Sequence, residues 1–136
     1  MMRRAFLFAL LPAVVAAQPN FDTVTVKATQ VRAGIYMITG LGGNIALSVG
    51  DDASFLVDDQ YAPLTPKLLA TIASVTSKSV RFVVNTHWHF DHTGGNENMG
   101  KTGAVLIAHD NVRKRMSTGQ FIEFLKRGEF RFAYDD

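Results

Sequence analysis

A chain of 136 residues with 47% hydrophobic content can bury one modest core, so we predict a single folded domain. It contains no cysteine, which excludes disulfides, cysteine nucleophiles and thiolate zinc sites; a bound metal would need imidazole and oxygen ligands. The formal net charge of +2 becomes zero without Arg3 and Arg4. The short basic cluster at 113–115 is typical of a solvated helix face, so we expect no nucleic-acid partner.

The first seventeen residues differ from the rest of the chain. A basic start, MMRR, precedes an apolar run, AFLFALLPAVV, and small residues stand before Gln18. This layout is typical of a secretory signal peptide, and the run is short for a bilayer span. We predict a signal peptide at 1–17, a periplasmic or secreted domain at 18–136, and no stable membrane anchor after cleavage. The alternative, a buried N-terminal helix, is disfavoured by Pro12 and the basic start.

The residues that follow predict an antiparallel meander of about four strands and then a helix. The strand segments are TVTVKATQV, GIYMITG, NIALSVG and SFLVDD, with connections marked by Gly42–Gly43 and by the Gly-Asp-Asp at 50–52. The helix is TPKLLATIASV, in which Thr65 can cap, Pro66 fits the first helical position and apolar residues form one stripe.

The remaining segments alternate between strand and helix patterns. VRFVV is a short, nearly continuous apolar run that predicts a strand buried on both faces, and AVLIA predicts another buried strand. NVRKRMS and FIEFLKR predict helical pieces separated by Gly119. From Ala53 onward the order of elements indicates an α/β layered domain. Sites in such domains lie beyond the carboxyl ends of strands, and the histidine-rich segment follows VRFVV directly.

That segment is HWHFDH, residues 87–92, which holds three of the four histidines in the chain. If the backbone stays extended, residues two apart point to the same side, so His87 and His89 can converge on one ion at about 2.0–2.1 Å. A turn at Asp91 would aim Asp91 and His92 at a second ion about 3.5–4 Å from the first. The pattern therefore predicts a metal site.

Residues around the motif fit this interpretation. Gly94–Gly95 allow a tight bend and close backbone approach, and Asn96 can cap the next short helix. Trp88 and Phe90 alternate with the ligands and are predicted to pack or to line a cleft on the other side. His109 ends a strand before a helical segment, and we predict that it is structural or a helix cap.

HWHFDH resembles the HxHxDH signature of the metallo-β-lactamase superfamily. The resemblance includes the buried strand before the motif, TGGN after it and LVDDQYAPLTPK upstream, and it covers most of residues 21–118. It implies that His87 and His89 belong to a first zinc ion, and Asp91 and His92 to a second.

The resemblance also implies a role for Asp58, at the end of the preceding strand, beneath the metal-binding loop that it orients. The alternative is that Asp58 only caps a turn with Asp59. The reaction implied is hydrolysis of a small-molecule substrate: zinc lowers the pKa of its bound water toward 7, hydroxide attacks an acyl carbonyl, and Asp91 helps to hold the nucleophile or accept its proton. Known members cleave β-lactams, thioesters, lactones and phosphoesters, so the substrate is not specified.

The implied fold is the αβ/βα sandwich of that family. Its members are longer than this chain, and their second half supplies another histidine, a bridging aspartate and a last histidine. We therefore expect residues 18–136 to form roughly the first half, with one or two weakly held zinc ions and an uncovered sheet face capable of self-association. Three functions remain at this stage: a zinc-dependent hydrolase, a metal-binding fragment without turnover, and an exported interaction domain with vestigial histidines.

Overall fold

The computed structural model describes residues 19–122 and 127–130, so the predicted signal peptide at 1–17 lies outside the described residues. Short 3₁₀ turns occupy Phe21–Thr23 and Ala62–Leu64. The strands are β1 (Lys27–Arg32), β2 (Ile35–Thr39), β3 (Ile45–Val49), β4 (Ser54–Val57), β5 (Val80–Asn85), β6 (Val105–Ala108), β7 (Gln120–Ile122) and β8 (Arg127–Phe130). The helices are α1 (Thr65–Ala73), α2 (Phe90–Thr93), α3 (Asn96–Lys101) and α4 (Asp110–Met116).

Six strands form one mixed sheet in the order β1-β2-β3-β4-β5-β6. The first four pair antiparallel as the predicted meander, whereas β5 lies parallel to β4, and β6 lies parallel to β5. Parallel neighbours need a crossover, which α1 provides between β4 and β5, and α2 with α3 between β5 and β6. The predicted α/β class is confirmed.

One face of the sheet packs against α1 and α3 and forms the core. Strand residues on this face are paired across neighbouring strands, as Leu47 pairs with Leu56 and Leu56 with Val83. The stripe predicted on α1 meets them through Leu68 and Ile72. The buried cluster comprises Ile38, Ile45, Leu47, Leu56, Leu68, Ile72, Val80, Val83, Met99 and Ala104. Burying each large aliphatic side chain contributes about 1.5–3 kcal/mol, so this face stabilises the whole sheet.

The opposite face of the sheet is apolar and exposed. Phe55, Phe82 and Val105 stand side by side on β4, β5 and β6, and their exposed fractions are 36%, 37% and 53%. Met37 and Ile107 lie on the same face and are also exposed. Within the part of the chain that is described, one sheet-and-helix half of the expected sandwich is therefore present.

Five local predictions were wrong. β5 is not buried on both faces and β6 is not buried, because the sheet face opposite the helices is uncovered in the described part of the chain. The helix predicted for FIEFLKR is replaced by β7 and β8, which pair antiparallel on either side of residues 123–126, which are not described. A seven-residue helix is marginal by itself, and the aromatic and β-branched start of the segment favours strand. Thr65 and Asn96 are not the N-caps of α1 and α3, because Leu64 and Gly95 occupy those positions. Instead, the Asn98 amide donates to the Thr65 hydroxyl and the Asn96 amide donates to the Asn85 side chain.

Candidate metal centre

The parallel pairing of β4 and β5 brings two distant sequence segments to one edge of the sheet. β4 is followed by Asp58, and β5 is followed by Thr86 and the HWHFDH motif. The chain turns sharply after β4: Asp58 and Gln60 have φ values of 63° and 59°, a left-handed conformation that is uncommon outside glycine. The Asp58 amide still donates to the Val84 carbonyl at 2.9 Å, which keeps this turn attached to the end of β5.

Asp58 is 3% exposed and its carboxylate is fully engaged with the motif. Oδ1 accepts from the Thr86 amide at 2.8 Å, and Oδ2 accepts from the Thr86 hydroxyl at 2.8 Å. His92 Nδ1 lies 2.8 Å from Oδ2, a contact in which the ring nitrogen donates. In that tautomer the Nε2 lone pair of His92 is left for a metal, the arrangement in which a carboxylate fixes a histidine ligand. This geometry differs from that of a residue that only caps a turn.

The imidazoles of the motif converge. The ring centroids of His87 and His92 are 4.0 Å apart, and those of His87 and His89 are 4.8 Å apart. The turn predicted at Asp91 is α2, in which the His92 amide donates to the His89 carbonyl at 2.9 Å. Asp58, His87 and His92 each offer a ligand atom within 4.8 Å of the other two. Of the four predicted ligands, His87 and His92 belong to this group, whereas His89 adjoins His87 and Asp91 adjoins His92.

The spacing of Asp91 and His92 fits two ligands of one ion. Asp91 Oδ2 and His92 Nε2 are 3.4 Å apart. Bonds of about 2.0–2.2 Å at tetrahedral angles separate two zinc ligand atoms by about 3.4 Å. Oδ2 of Asp58 already accepts two hydrogen bonds, from the Thr86 hydroxyl and from the His92 ring, which leaves it less available to an ion than the other donors. The donor set is made of nitrogen and oxygen atoms, as zinc accepts.

The electrostatics of the site favour a neutral imidazole at His87. Burial, followed by the neighbouring His92 and His89 rings, lowers the pKa of His87. A lowered pKa leaves His87 unprotonated near neutral pH, the state that a metal requires. The Thr86 hydroxyl lies 3.0 Å from His87 Nδ1 and, because it donates to Asp58, it links the two residues.

A layer of buried polar groups beneath the motif was not predicted from the sequence. The Asp59 amide donates to the His92 carbonyl at 3.0 Å, and the Gly95 amide donates to Asp59 Oδ1 at 2.9 Å. Burial is the largest influence on this carboxyl group; it outweighs the hydrogen bond from Gly95 and, together with Asp58, raises the pKa of Asp59 to about 8. Asn85 also donates to the His92 carbonyl, at 3.3 Å. The sequence signal for this buried layer was the run of adjacent polar residues at the end of β4 and at the end of β5.

The loop between β2 and β3, which contains Gly42 and Gly43, lies against the HWHFDH motif. A Cβ atom at Gly43 would overlap with the His92 ring, and one at Gly42 would lie 2.7 Å from Asp91 Cβ and 2.9 Å from Tyr61 Cε2. Gly42 also has a φ of 88°, which side chains rarely adopt. The Gly-Gly pair was predicted only as a connection, but its lack of side chains is what lets the loop approach the candidate ligands.

Aromatic residues surround the site. The Trp88 ring meets the His89 ring edge-on with centroids 4.6 Å apart, and the Phe90 ring lies 5.5 Å from that of Tyr61. Burial, followed by the nearby Asp91 carboxylate, raises the pKa of Tyr61. His109, the fourth histidine, is the N-cap of α4, and its Nδ1 accepts from the Asn111 amide at 3.1 Å. Its prediction as a cap is confirmed.

Solved structures with the same fold include metallo-β-lactamases. FIM-1 from Pseudomonas aeruginosa, in its mono-zinc form, is 26% identical with a TM-score of 0.62, over 72% of this chain and 47% of that one. BJP-1 of Bradyrhizobium japonicum, a subclass B3 enzyme, is 25% identical with a TM-score of 0.63, over 72% and 38%. The metallo-β-lactamase from Erythrobacter litoralis is 29% identical with a TM-score of 0.60, over 66% and 44%.

The matched region thus spans less than half the length of each of these enzymes. A search among curated proteins found no match. The family model described as "Metallo-beta-lactamase superfamily" matches residues 38–131, which include β3, β4, the crossover helix α1 and the whole HWHFDH motif. Sequence match, sheet topology and the converging histidines agree, and the chain belongs to the metallo-β-lactamase superfamily.

Proposed function

We propose that this chain supplies the metal-binding loop of a zinc-dependent hydrolase that cleaves an acyl bond in a small molecule, such as a β-lactam, a thioester or a related ester. The observation that carries the proposal is the convergence of His87, His89, Asp91 and His92 at the sheet edge, with His92 held by Asp58. The similarity to solved metallo-β-lactamases supports the reaction class.

The proposal gives each residue a role. His87 and His89 supply imidazoles for one ion, and Asp91 with His92 supplies the ligands for a second. Bound zinc would act as a Lewis acid that lowers the pKa of its water toward 7. Asp91, at the exposed side of the pair, is placed to hold that water or to accept its proton. Asp58 keeps the His92 ring in one tautomer and one orientation.

The ligand count bears on affinity. Catalytic zinc sites commonly have three protein ligands and one water, whereas each pair proposed for this chain supplies two. We therefore expect weak zinc binding by this chain and low turnover in isolation. A metal-binding fragment without turnover is the second candidate, and this incomplete ligand set is the observation that favours it.

Zinc content and turnover test the proposal in the purified full-length chain. The measurements are zinc per chain at equilibrium and hydrolysis of a chromogenic cephalosporin and of a thioester. His87→Ala should abolish turnover and weaken zinc binding at least tenfold, because it removes one imidazole from the set. His109→Ala is the matched control, since it removes a histidine that caps α4 and should leave both measurements unchanged.

The outcomes separate the candidates. Zinc-dependent turnover that is lost in His87→Ala supports the hydrolase. Zinc binding without turnover supports the metal-binding fragment. If zinc does not bind, or if His109→Ala has the same effect as His87→Ala, the assignment of the motif is wrong, and an interaction domain becomes the better explanation.

Two further parts of the proposal concern location and assembly. We propose export to the periplasm or beyond, on the signal-peptide pattern at 1–17; no helix among the described residues is long and apolar enough to cross a bilayer. We also propose that the exposed apolar face at Met37, Phe55, Phe82, Val105 and Ile107 self-associates when nothing else covers it. Sedimentation over a range of concentrations tests this, and a strictly monomeric chain would contradict it.

A further inference from the structure

The side chain of Gln60 has no role in the proposed reaction as described so far, although it lies beside the candidate metal centre. It is 1% exposed, and its Nε2 group donates to the Gly43 carbonyl at 2.6 Å. Because this acceptor is a carbonyl oxygen, the group that faces it must be the amide nitrogen and not the amide oxygen. Gln60 therefore ties the turn after β4 to the loop between β2 and β3, residues 40–44.

The backbone of Gln60 is held by the end of the HWHFDH motif and by the glycines that follow it. The Gln60 carbonyl accepts from the Gly95 amide at 3.0 Å, and the neighbouring Asp59 amide donates to the His92 carbonyl, also at 3.0 Å. The φ of Gln60 is 59°, a left-handed conformation that persists in a residue other than glycine when its surroundings impose it. The base of this side chain therefore has a fixed position relative to His92.

The loop that Gln60 holds is the one that touches His92. The Gly43 backbone lies so close to the His92 ring that a Cβ atom at Gly43 would overlap with it. The ring is thus restrained from two directions, because Asp58 accepts from Nδ1 and the Gly43 backbone lies against the ring. A histidine ligand needs a fixed ring orientation to direct its free nitrogen at an ion. Release of the loop would remove one of these two restraints.

The amide of Gln60 is unfavourable for stability in this place. Its Oε1 atom is buried and has no hydrogen-bond partner among the described residues. It lies against Gly40, where an added Cβ atom would be 2.6 Å from it. An unpaired buried acceptor destabilises the folded state, whereas an apolar side chain of similar length would not. Stability alone therefore favours an apolar residue, and the distinct contribution of the amide is its hydrogen bond to the loop.

We propose that Gln60 is a positioning residue of the metal centre: its amide holds the Gly43 loop against the His92 ring and thereby fixes that ring for zinc. The use of this link in hydrolysis rests on the proposed function, whereas the link itself exists without metal. If Gln60 only filled space, an apolar replacement would leave both stability and zinc affinity unchanged. If Gln60 positions the loop, the same replacement lowers zinc affinity and does not lower stability.

Gln60→Met replaces the amide by an unbranched apolar side chain, and Gln30→Met is the matched control at an exposed position of β1. In the full-length chain, Gln60→Met should weaken zinc binding about tenfold. Its free energy of unfolding, measured without metal, should stay the same or rise, because the unpaired Oε1 is removed. Gln30→Met should leave both measurements unchanged. Equal zinc affinities of Gln60→Met and the parent would overturn the proposal, and so would a lower free energy of unfolding.

Gly40→Ala disturbs the same link from the side of the loop. The added Cβ atom would displace the Gln60 amide, and the φ of Gly40 is not positive, so alanine fits its backbone. This variant should weaken zinc binding about as much as Gln60→Met. In the Gln60→Gly chain no side chain remains to be displaced, and glycine accepts a φ of 59°. There Gly40→Ala should have no further effect, and additive losses of affinity would contradict the link.

Proton NMR of the metal-free chain observes His92 directly. Its Cε1–H signal, identified by its absence from His92→Gln, should shift in Gln60→Met and in Gly40→Ala and keep its position in Gln30→Met. An unchanged signal in both of the first two variants would show that the loop does not depend on Gln60, and the proposal would fail. Because no metal is present, this result holds whether or not the chain hydrolyses a substrate. A failure of the proposed function is thereby distinguished from a failure of the link.

Discussion

The buried carboxyl group of Asp59 makes a specific prediction about stability and pH. Asp59 is fully buried, and its pKa rises from 3.8 to about 8 in the folded chain, chiefly through burial. An acid with a raised folded pKa binds more protons in the folded state than in the unfolded one, so its contribution to stability is retained below pH 3.8 and lost as pH rises toward 8. At pH 7 the uptake of this proton on folding lowers the free energy of unfolding by about 4 kcal/mol relative to its value below pH 3.8. Between these pH values the free energy of unfolding falls by about 1.4 kcal/mol for each pH unit.

Asp59→Asn removes this titration and keeps most of the local contacts. The asparagine oxygen can accept from the Gly95 amide, as Oδ1 does at 2.9 Å. Its amide group would occupy the place of Oδ2, which has no hydrogen-bond partner among the described residues. That unpaired amide costs about 1–3 kcal/mol at every pH, so the informative quantity is how the difference between variant and parent changes with pH.

Urea unfolding of both chains at half-unit steps from pH 5 to 7.5, without metal, measures that difference. The free energy of unfolding of Asp59→Asn, relative to the parent, should rise by about 1.4 kcal/mol for each pH unit. Asp52→Asn, an exposed acid in the turn before β4, serves as the control and should follow the parent. A difference between Asp59→Asn and the parent that is constant over this range would refute the reasoning, because Asp59 would then be ionised in both states or in neither.

Two other predictions concern the approach of Gly43 to His92 and the contacts of Lys67 with the backbone near residue 24. Gly43→Ala should weaken zinc binding at least tenfold in an equilibrium titration, since the added Cβ would overlap with His92. Gly100→Ala in α3 is the control, because its added Cβ meets no atom within 4 Å and should leave the zinc affinity unchanged. Equal zinc affinities in the two variants would contradict the close approach of the loop to His92. Lys67→Met should lower the free energy of unfolding by about 1–3 kcal/mol, because Nζ donates to the carbonyls of Phe21, Asp22 and Val24 at 3.0, 2.7 and 2.8 Å. Earlier proteolysis near residue 24 than in the exposed variant Lys101→Met checks this, and identical cleavage would exclude the role of Lys67.

The sequence predicts the parts of this fold that depend on local pattern. The alternation of the meander and the apolar stripe of α1 each fall within a single segment, and the structure has both. β5 and β6 form as predicted strands, but their predicted burial is wrong, because it depends on what covers the second face of the sheet. The cap at His109 is equally local, since it involves a residue two positions away. Short-range periodicity and spacing are sufficient for such features.

Features that depend on distant contacts were missed or mistaken. Asn96 was predicted to cap α3, but its side-chain amide donates instead to the side-chain oxygen of Asn85, at the end of β5. The burial of Asp59 depends on α2 and on Gly95 folding back over the end of β4. The overlap that a side chain at Gly43 would produce depends on the position of a ring in a different segment. None of these contacts has a periodic signal, because each joins groups whose sequence separation is arbitrary.

The parallel pairing of β4 and β5 also couples folding to the ion. Thr86 and Asp58 lie 28 positions apart along the chain, and they meet only after the crossover helix has returned β5 alongside β4. An unfolded polypeptide keeps the four proposed ligands close in sequence but lacks the contacts with Asp58 and Thr86 that orient them, so zinc would bind the native state more tightly and shift the folding equilibrium by mass action. At a free zinc concentration of about one hundred times Kd the gain is at most about 2.7 kcal/mol, and the melting temperature of the chain then depends on the metal supply.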